Sequence, residues 1–238
     1  DEDPERFFQL VKDDAQFELK HNGKVIGAAS AKAIWQKIVS NALKGGEPGL
    51  LNGYLANKMS NIWYFKPLIC TNPCGEIWLI EYDCCDLGSL VLPRFVRKHP
   101  KGEKWGVNGF EIDRELLGQT IDIAVRFLDN VLTVNSYPME EIRETCEQIR
   151  RIGLGVTGLD TMLMEMGLRY NSSEALELVD GLMNFIKNRA YEASIQLAIE
   201  KGSFPVFDAD KFLQSGFAKT LKPSLRQSIR ENGIRNCA

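Results

Sequence analysis

The chain has 238 residues, 44% apolar and 26% charged, with 20 Gly and 9 Pro, which suits one large or two small globular domains and excludes collagen-like repeats, a coiled coil and a disordered chain. Its 29 Lys and Arg against 32 Asp and Glu give a formal net charge of -3 with no basic block, so the clustered positive face that nucleic acid requires is missing. No apolar run approaches the length of about 18 residues that spans a bilayer, and the acidic residues 1–6 are unlike a signal peptide, so a cytoplasmic setting is expected.

Ser30 is placed to cap a helix whose apolar positions Ala33, Ile34, Ile38, Val39, Ala42 and Leu43 recur at helical spacing, with Gly45 and Gly46 ending it. Over residues 47–61 the pattern breaks around Pro48, Gly49 and Gly53, predicting loop with short structured pieces. Residues 66–71 and 77–82 are short apolar or alternating runs that read as strands flanking Asn72-Pro73-Cys74-Gly75-Glu76. Residues 97–109 carry Pro100, Gly102, Gly106 and Gly109 and predict a polar surface connection. Helices follow. Asp113 caps a segment with Leu116, Leu117, Ile121, Ala124, Val125, Leu128, Val131 and Leu132 on a wide apolar face. Pro138 suits the first turn of the next, with Glu140 and Glu141 near its positive end and Met139, Ile142, Cys146 and Ile149 on one face. Asn171 and Glu174 have capping-box spacing ahead of one long buried helix from Ser173 to about Lys201, stopped by Gly202. Residues 222–238 give a basic turn of helix and then Arg235-Asn236-Cys237-Ala238.

Six cysteines are too sparse for a stapled secreted scaffold, and four of them, Cys70, Cys74, Cys84 and Cys85, fall within sixteen residues. Alternate side chains of an extended loop share a side, so Asn72, Cys74 and Glu76 bring an amide, a thiol and a carboxylate to one face, while Pro73 and Gly75 shape the loop and admit a ligand. A Cys-His catalytic pair is disfavoured, because the two histidines, His21 and His99, sit in polar segments far from the loop in sequence. Zinc is disfavoured as well, since the cysteine spacing contains no C-x2-C and adjacent Cys84 and Cys85 cannot easily face one ion. Cys70, Cys146 and Cys237 read as small buried hydrophobes, a reading that explains Cys74 and the Cys84-Cys85 pair less well. Gly153-x-Gly155-x-x-Gly158, followed after about twenty residues by Glu174 and Glu177, matches a dinucleotide fingerprint in isolation. The charged, helix-like residues 147–151 put no strand ahead of it, so these glycines are expected to permit close packing at a strand-to-helix turn.

Thr71-Asn72-Pro73-Cys74-Gly75-Glu76, followed by Cys84-Cys85-Asp86-Leu87-Gly88-Ser89, closely resembles the active-site segment of the ribonucleotide reductase large chain, especially its adenosylcobalamin-dependent class, with the wording N-P-C-G-E and then C-N-L-G-S. Residues 150–159 are similar to the family's R-R-I-G-L-G-V-x-G-F, and the helix over 31–43 with its Gly46-Glu47-Pro48-Gly49 turn also fits, so the resemblance spans nearly the whole chain. It implies an α/β fold, part of a ten-stranded α/β barrel with a central cysteine-bearing finger loop at about 70–77 and outer helices. Residues 1–238 would be a partial catalytic barrel domain, mainly helical over about 110–238.

The implied activity is radical reduction of ribonucleoside di- or triphosphates to deoxyribonucleotides for DNA synthesis. A thiyl radical on Cys74 takes the ribose 3′-hydrogen, Glu76 accepts the 3′-hydroxyl proton as the 2′-hydroxyl leaves, and Asn72 holds the ribose hydroxyls. Thr71, Pro73 and Gly75 complete the substrate-binding loop. Cys85 is one of two thiols that supply electrons and end as a disulfide, and Cys84 would face the other side of the strand. Asp86 stands where the family usually has Asn. Shielding of the radical from water places Cys74 at the centre of a closed barrel. Adenosylcobalamin is the implied radical source and a thioredoxin-like protein the reductant, with a homodimer or a complementing chain as further partners. Bound metal, nucleic acid and membrane are not expected.

In the family the second reducing cysteine lies upstream and a P-T-G-T phosphate loop follows a segment like Arg235-Asn236, so this chain is expected to be the central part of a larger polypeptide or one half of a split enzyme. Three alternatives stay open. One is the large chain of an oxygen-dependent class I reductase, which takes its radical from a partner subunit and usually differs at the Pro73 and Gly75 positions. Another is a catalytically incomplete assembly fragment. A thiol redox or metal protein is the third.

Overall fold

A computed structural model describes residues 4–98 and 107–237, which divide into two compact units, Asp1–Lys58 and Met59–Ala238. In the first unit α1 (Pro4–Lys12) precedes an antiparallel hairpin of β1 (Gln16–His21) and β2 (Lys24–Ser30), followed by α2 (Ala31–Gly45) and α3 (Gly53–Met59), whose last residue belongs to the second unit. The hairpin turns at Asn22-Gly23, with φ of 48° and 76°, the two left-handed positions that a two-residue turn between twisted strands requires. Neither α1 nor the hairpin was among the elements expected, although Asn-Gly is the signal for such a turn. Edge-to-face ring pairs, Phe7 with Phe17 and Phe8 with Trp35, supply much of the apolar contact here. The caps of α2 are those expected: the Ser30 hydroxyl accepts from the Ala33 N–H at 3.1 Å, and Gly46 turns left-handed at φ 75°.

The second unit opens with an antiparallel ladder of only two residue pairs, β3 (Cys70–Thr71) with β4 (Trp78–Leu79). These strands are much shorter than the two six-residue runs read from residues 66–71 and 77–82. β5 (Asp86–Val91) runs through a 3-10 turn (Leu92–Phe95) into β6 (Val96–Lys98), which pairs antiparallel with β7 (Phe110–Ile112). The surface connection expected over 97–109 falls largely on residues 99–106, including His99, which lie outside the described residues. Then come α4 (Arg114–Val134), α5 (Glu140–Ile149), β8 (Ile152–Thr157), α6 (Leu159–Glu165), α7 (Ser173–Lys201), α8 (Ala209–Phe212) and α9 (Pro223–Asn232).

Asp113 caps α4 as expected, accepting from the Leu116 N–H at 2.9 Å. Two other caps shift. Met139 occupies the N-cap of α5, so Pro138 lies before the helix rather than in its first turn, and Met139 is exposed instead of joining the buried face of Cys146 and Ile149. Ser172, not Asn171, caps α7, accepting from the Ala175 N–H at 3.2 Å, while Asn171 takes a left-handed φ of 63° that a capping residue does not adopt.

β5 and β8 pair in parallel from Asp86 opposite Ile152 to Val91 opposite Thr157. A parallel pair needs a long crossover, and α4 within that crossover packs back on both strands and on α7. Leu90 and Ile152 from the strands, Ile121, Val125 and Leu128 from α4, and Leu178, Leu182 and Ile186 from α7 share one core. Among the described residues the strands form four separate two-stranded sheets. The closed barrel implied by the resemblance is therefore not present in them, because closure requires one unbroken ring of paired strands and β5 and β8 pair only with each other. The observed architecture is mixed α/β.

Candidate active site

Residues 72–75 are folded as a tight turn. The Gly75 N–H donates to the Asn72 carbonyl at 3.0 Å, and Gly75, at φ 79°, takes the left-handed position after the turn. Asn first, Pro second and Gly fourth is the composition that a type I turn favours. The Asn72 side chain locks the closure, its Oδ1 accepting from the Ile77 N–H at 3.1 Å. This corrects the expectation of an extended loop with alternate residues on one side: Asn72, Cys74 and Glu76 lie on a chain reversal, where that alternation does not hold. Cys74 and Glu76 are exposed, whereas Thr71 and Asn72 are half-buried. Cys74 thus lies open rather than enclosed by a barrel. Cys70, expected as a buried hydrophobe, is exposed, since a ladder of two residue pairs gives it nothing to pack beneath; its Sγ reaches only the Leu79 carbonyl, at 4.0 Å.

Cys84 and Cys85 immediately precede β5, and their sulfurs meet different elements. Cys84 Sγ is 3.1 Å from Cys146 Sγ on α5. Cys85 is directed toward β8: a methyl group at Gly153 would lie 3.1 Å from Cys85 Sγ, 3.2 Å from Ile77 Cδ1 and 2.5 Å from Leu87 Cδ2. Ile77 follows Glu76 directly, so the bare backbone at Gly153 is where the finger turn and Cys85 come together. The same contact accounts for the glycine fingerprint. Gly153 and Gly155 lie inside strand β8, not at a turn as expected, and Gly158 alone (φ 75°) forms the strand-to-helix turn, where a methyl would strike Pro93 Cδ at 2.7 Å. No phosphate cradle results, because two of the three glycines are committed to a parallel ladder.

The sequence reading missed the charged pair beneath this contact. Arg151 Nε donates to Asp83 Oδ2 at 2.8 Å with both side chains buried. Burial pushes the Cys85 thiol up to about 12, with the positive charge of Arg151 pulling the other way. Burial also raises the carboxyls of Asp83 and Asp86. The Asp86 Oδ2 atom is buried with no hydrogen-bond partner among the described residues, an unfavourable position for a carboxylate where the resembling motif carries a neutral amide. The doubled Arg150-Arg151 before an apolar strand was the available signal for this pair and for that of Arg150 with Asp129, also buried and 2.8 Å apart. Cys146 and Cys237 are buried, as expected. Among the described residues no group of three or more His, Cys, Asp or Glu side chains could hold a metal ion, and no helix is long and apolar enough to cross a membrane.

The described residues form a mixed α/β protein with an exposed Cys74 on a glycine turn and a half-buried Cys85 just ahead of a parallel strand pair. Residues 4–238 match the family described as "Ribonucleotide reductase, barrel domain", and the chain belongs to that family. It is 34% identical over 212 residues to a vitamin B12-dependent ribonucleoside-diphosphate reductase of Thermoplasma acidophilum, covering 88% of this chain and 26% of that protein. A protein of the same name from Mycobacterium tuberculosis is 37% identical over 194 residues, covering 82% of this chain and 26% of the relative. A ribonucleoside-diphosphate reductase subunit alpha of Chlamydia muridarum is 30% identical over 234 residues, 87% of this chain and 21% of the relative. The chain thus spans about a quarter of the length of the first two, 26% in each.

Proposed function

We propose that this chain is the part of a ribonucleotide reductase, within a larger catalytic barrel of ten strands, that presents the radical-bearing cysteine and one of the two reducing thiols to a ribonucleoside diphosphate. The observation that carries the reading is the meeting of the finger turn and Cys85 over Gly153. In this reading a sulfur radical on Cys74 removes the 3′-hydrogen of the ribose. Glu76 takes the 3′-hydroxyl proton, and the 2′-hydroxyl leaves as water with a proton from the reducing thiols. Asn72, whose carbonyl oxygen is engaged in the turn, offers its Nδ2 donors to the ribose oxygens. Thr71, Pro73 and Gly75 shape the floor on which the sugar rests. Cys85 and a second thiol from outside this chain give up two electrons and close to a disulfide, after which Cys74 returns its hydrogen to C3′. A thioredoxin-like protein then reopens the disulfide. Holding Cys85 as a thiol through burial suits a group that must deliver hydrogen as well as electrons.

The residues facing a radical source would be Pro73, Cys74 and Gly75 at the apex of the turn. Adenosylcobalamin, when bound, supplies the radical chemistry, and the B12-dependent names of the Thermoplasma and Mycobacterium relatives support that choice. The test uses the full polypeptide with adenosylcobalamin, a ribonucleoside diphosphate and a nucleotide effector, frozen within milliseconds for electron paramagnetic resonance. A thiyl signal and deoxynucleotide formation are expected, both lost in Cys74→Ser. A signal that survives in Cys74→Ser overturns the assignment, and a strict requirement for a second, radical-generating subunit moves the chain to the oxygen-dependent class.

A further inference from the structure

We propose that Cys84 and Cys146 form a second dithiol site, separate from Cys74 and Cys85, that closes to a disulfide when the protein meets a low-molecular-weight disulfide such as oxidised glutathione. The inference rests on geometry and does not depend on the reductase reading. The two sulfurs are 3.1 Å apart although 62 positions separate the residues in sequence, and they need to approach by only about 1 Å to reach bonding distance. They belong to different elements, Cys84 to the segment entering β5 and Cys146 to α5. Cys84 is half-buried, and Cys146 is only 1% exposed. Access is therefore one-sided, with an entry thiol that a small disulfide can reach and a resolving thiol that it cannot. The hydrogen bond between them raises the Cys84 pKa and lowers that of Cys146, so the pair ionises as a unit: one proton leaves, and the one that remains passes to Cys146 as Cys84 attacks.

The step balances. Cys84 sulfur attacks one sulfur of oxidised glutathione, whose disulfide bond breaks and releases the first glutathione thiolate. Cys146 sulfur then attacks Cys84 sulfur in the mixed disulfide and releases the second. Two electrons pass to the glutathione, and the two thiol protons end on the two molecules released. Cys85 points away toward Gly153, and Cys70 and Cys74 lie exposed on the finger hairpin; buried Cys237, near enough to Cys146 for the two to interact electrostatically, is the rival, and the link must persist in Cys237→Ala.

The experiment takes the reduced full polypeptide, exposes it to oxidised glutathione, blocks remaining thiols with iodoacetamide under denaturing conditions, and digests with trypsin and a glutamate-specific protease. The peptide carrying Cys146 is expected joined to the one that begins after Glu81, two hydrogens lighter than the sum of the parts. The link persists in Cys85→Ser, which excludes the neighbouring thiol, and falls by about tenfold or more in Cys84→Ser, a substitution at a half-exposed position whose folding circular dichroism checks. Recovery of Cys84 and Cys146 both alkylated in the wild-type protein overturns the proposal, as does a link that maps to Cys85. If Cys146→Ser fails to fold, Cys84→Ser alone decides.

Discussion

Gly153 is the residue on which the site turns. With Leu87 Cδ2 at 2.5 Å, Cys85 Sγ at 3.1 Å and Ile77 Cδ1 at 3.2 Å from where a methyl would sit, Gly153→Ala turns the exposed Leu87 side chain aside and makes Cys85 and Ile77 give way by a few tenths of an ångström. Overpacking of this kind costs about 1–3 kcal/mol. Gly155 is the control, since its nearest neighbours, Ser89 Oγ and the Gly88 carbonyl, would be at 3.7 and 3.8 Å, ordinary contact distances. Gly153→Ala is expected to lower the urea midpoint of the chain and to cut turnover of the full polypeptide, while Gly155→Ala changes the midpoint little. A phosphate-binding role for the glycine run would instead make both substitutions weaken nucleotide binding, so equilibrium dialysis with nucleotide beside the urea titration separates the two. At this scale the sequence was informative about chemistry and silent about placement. The residue types of the Asn72 to Glu76 loop pointed to its chemistry, but the segment reads as extended when alternation is applied to it, although Asn, Pro and Gly act locally to favour the observed turn. That Gly153 receives Cys85 and Ile77, and that Cys84 meets Cys146, depends on segments far apart in the chain, and no local pattern encodes it.

Between elements the organising group is Asp129 on α4, which is 0% exposed. It accepts from Arg150 Nε at 2.8 Å, Asn236 Nδ2 and Lys201 Nζ at 3.2 Å, and Arg235 Nε at 3.3 Å. One carboxylate thereby ties α4 to the end of α5, the last turn of α7 and the segment after α9. Burial alone would raise the Asp129 pKa, but the hydrogen bond and charge of Arg150, together with Arg235 and Lys201, hold it below the usual carboxylate range. Asp129→Asn keeps the shape and removes the charge, leaving Arg150 buried without its counterion. The expected loss is about 3–5 kcal/mol, read as a fall in Tm of about 10 °C in a chain of this size. Because the folded-state pKa is depressed, this stabilisation is complete above the ordinary Asp value and is lost as pH falls below about 4. Wild type and variant should therefore converge in acid; a gap that stays constant down to pH 2 would assign the loss to packing rather than charge. The helices themselves were readable because caps and apolar periodicity are short-range, as with Ser30, Asp113 and Gly202. The adjacent capping types at Asn171 and Ser172 blurred one boundary. Strands were read too long, because a strand exists only as far as its partner pairs with it, and the partner of β3 and β4 ends after two residue pairs.

Over the whole molecule, stability should be lopsided in pH. Cys237, 2% exposed, is pushed up to about 11 by burial, partly offset by Arg151. Its folded-state pKa is raised above the unfolded value, so its contribution is fully present below the ordinary thiol pKa and lost as pH rises through about 11. Across that window the slope is about 1.4 kcal/mol per pH unit, or about 3 kcal/mol in all for a shift of this size. Tyr64 and Tyr137, each raised to about 12 mainly by burial, act in the same direction at higher pH. The structure has a reason to keep Cys237 protonated: its carbonyl accepts from Asn61, which also bonds to Ser215 and Tyr191, so the segment leading out of Arg235-Asn236 is seated in a buried polar network. A thiolate at Cys237 would form inside that network with only the charge of Arg151 to offset it. Urea unfolding at intervals from pH 8 to pH 11 tests this with Cys237→Ala as the comparison. The variant should be somewhat less stable at pH 8, where it lacks the buried sulfur, and should lose less stability than wild type as the pH rises. Parallel curves over the whole range would show that the thiol stays neutral in both states or ionises equally in both, and would remove burial of Cys237 as the source of alkaline instability.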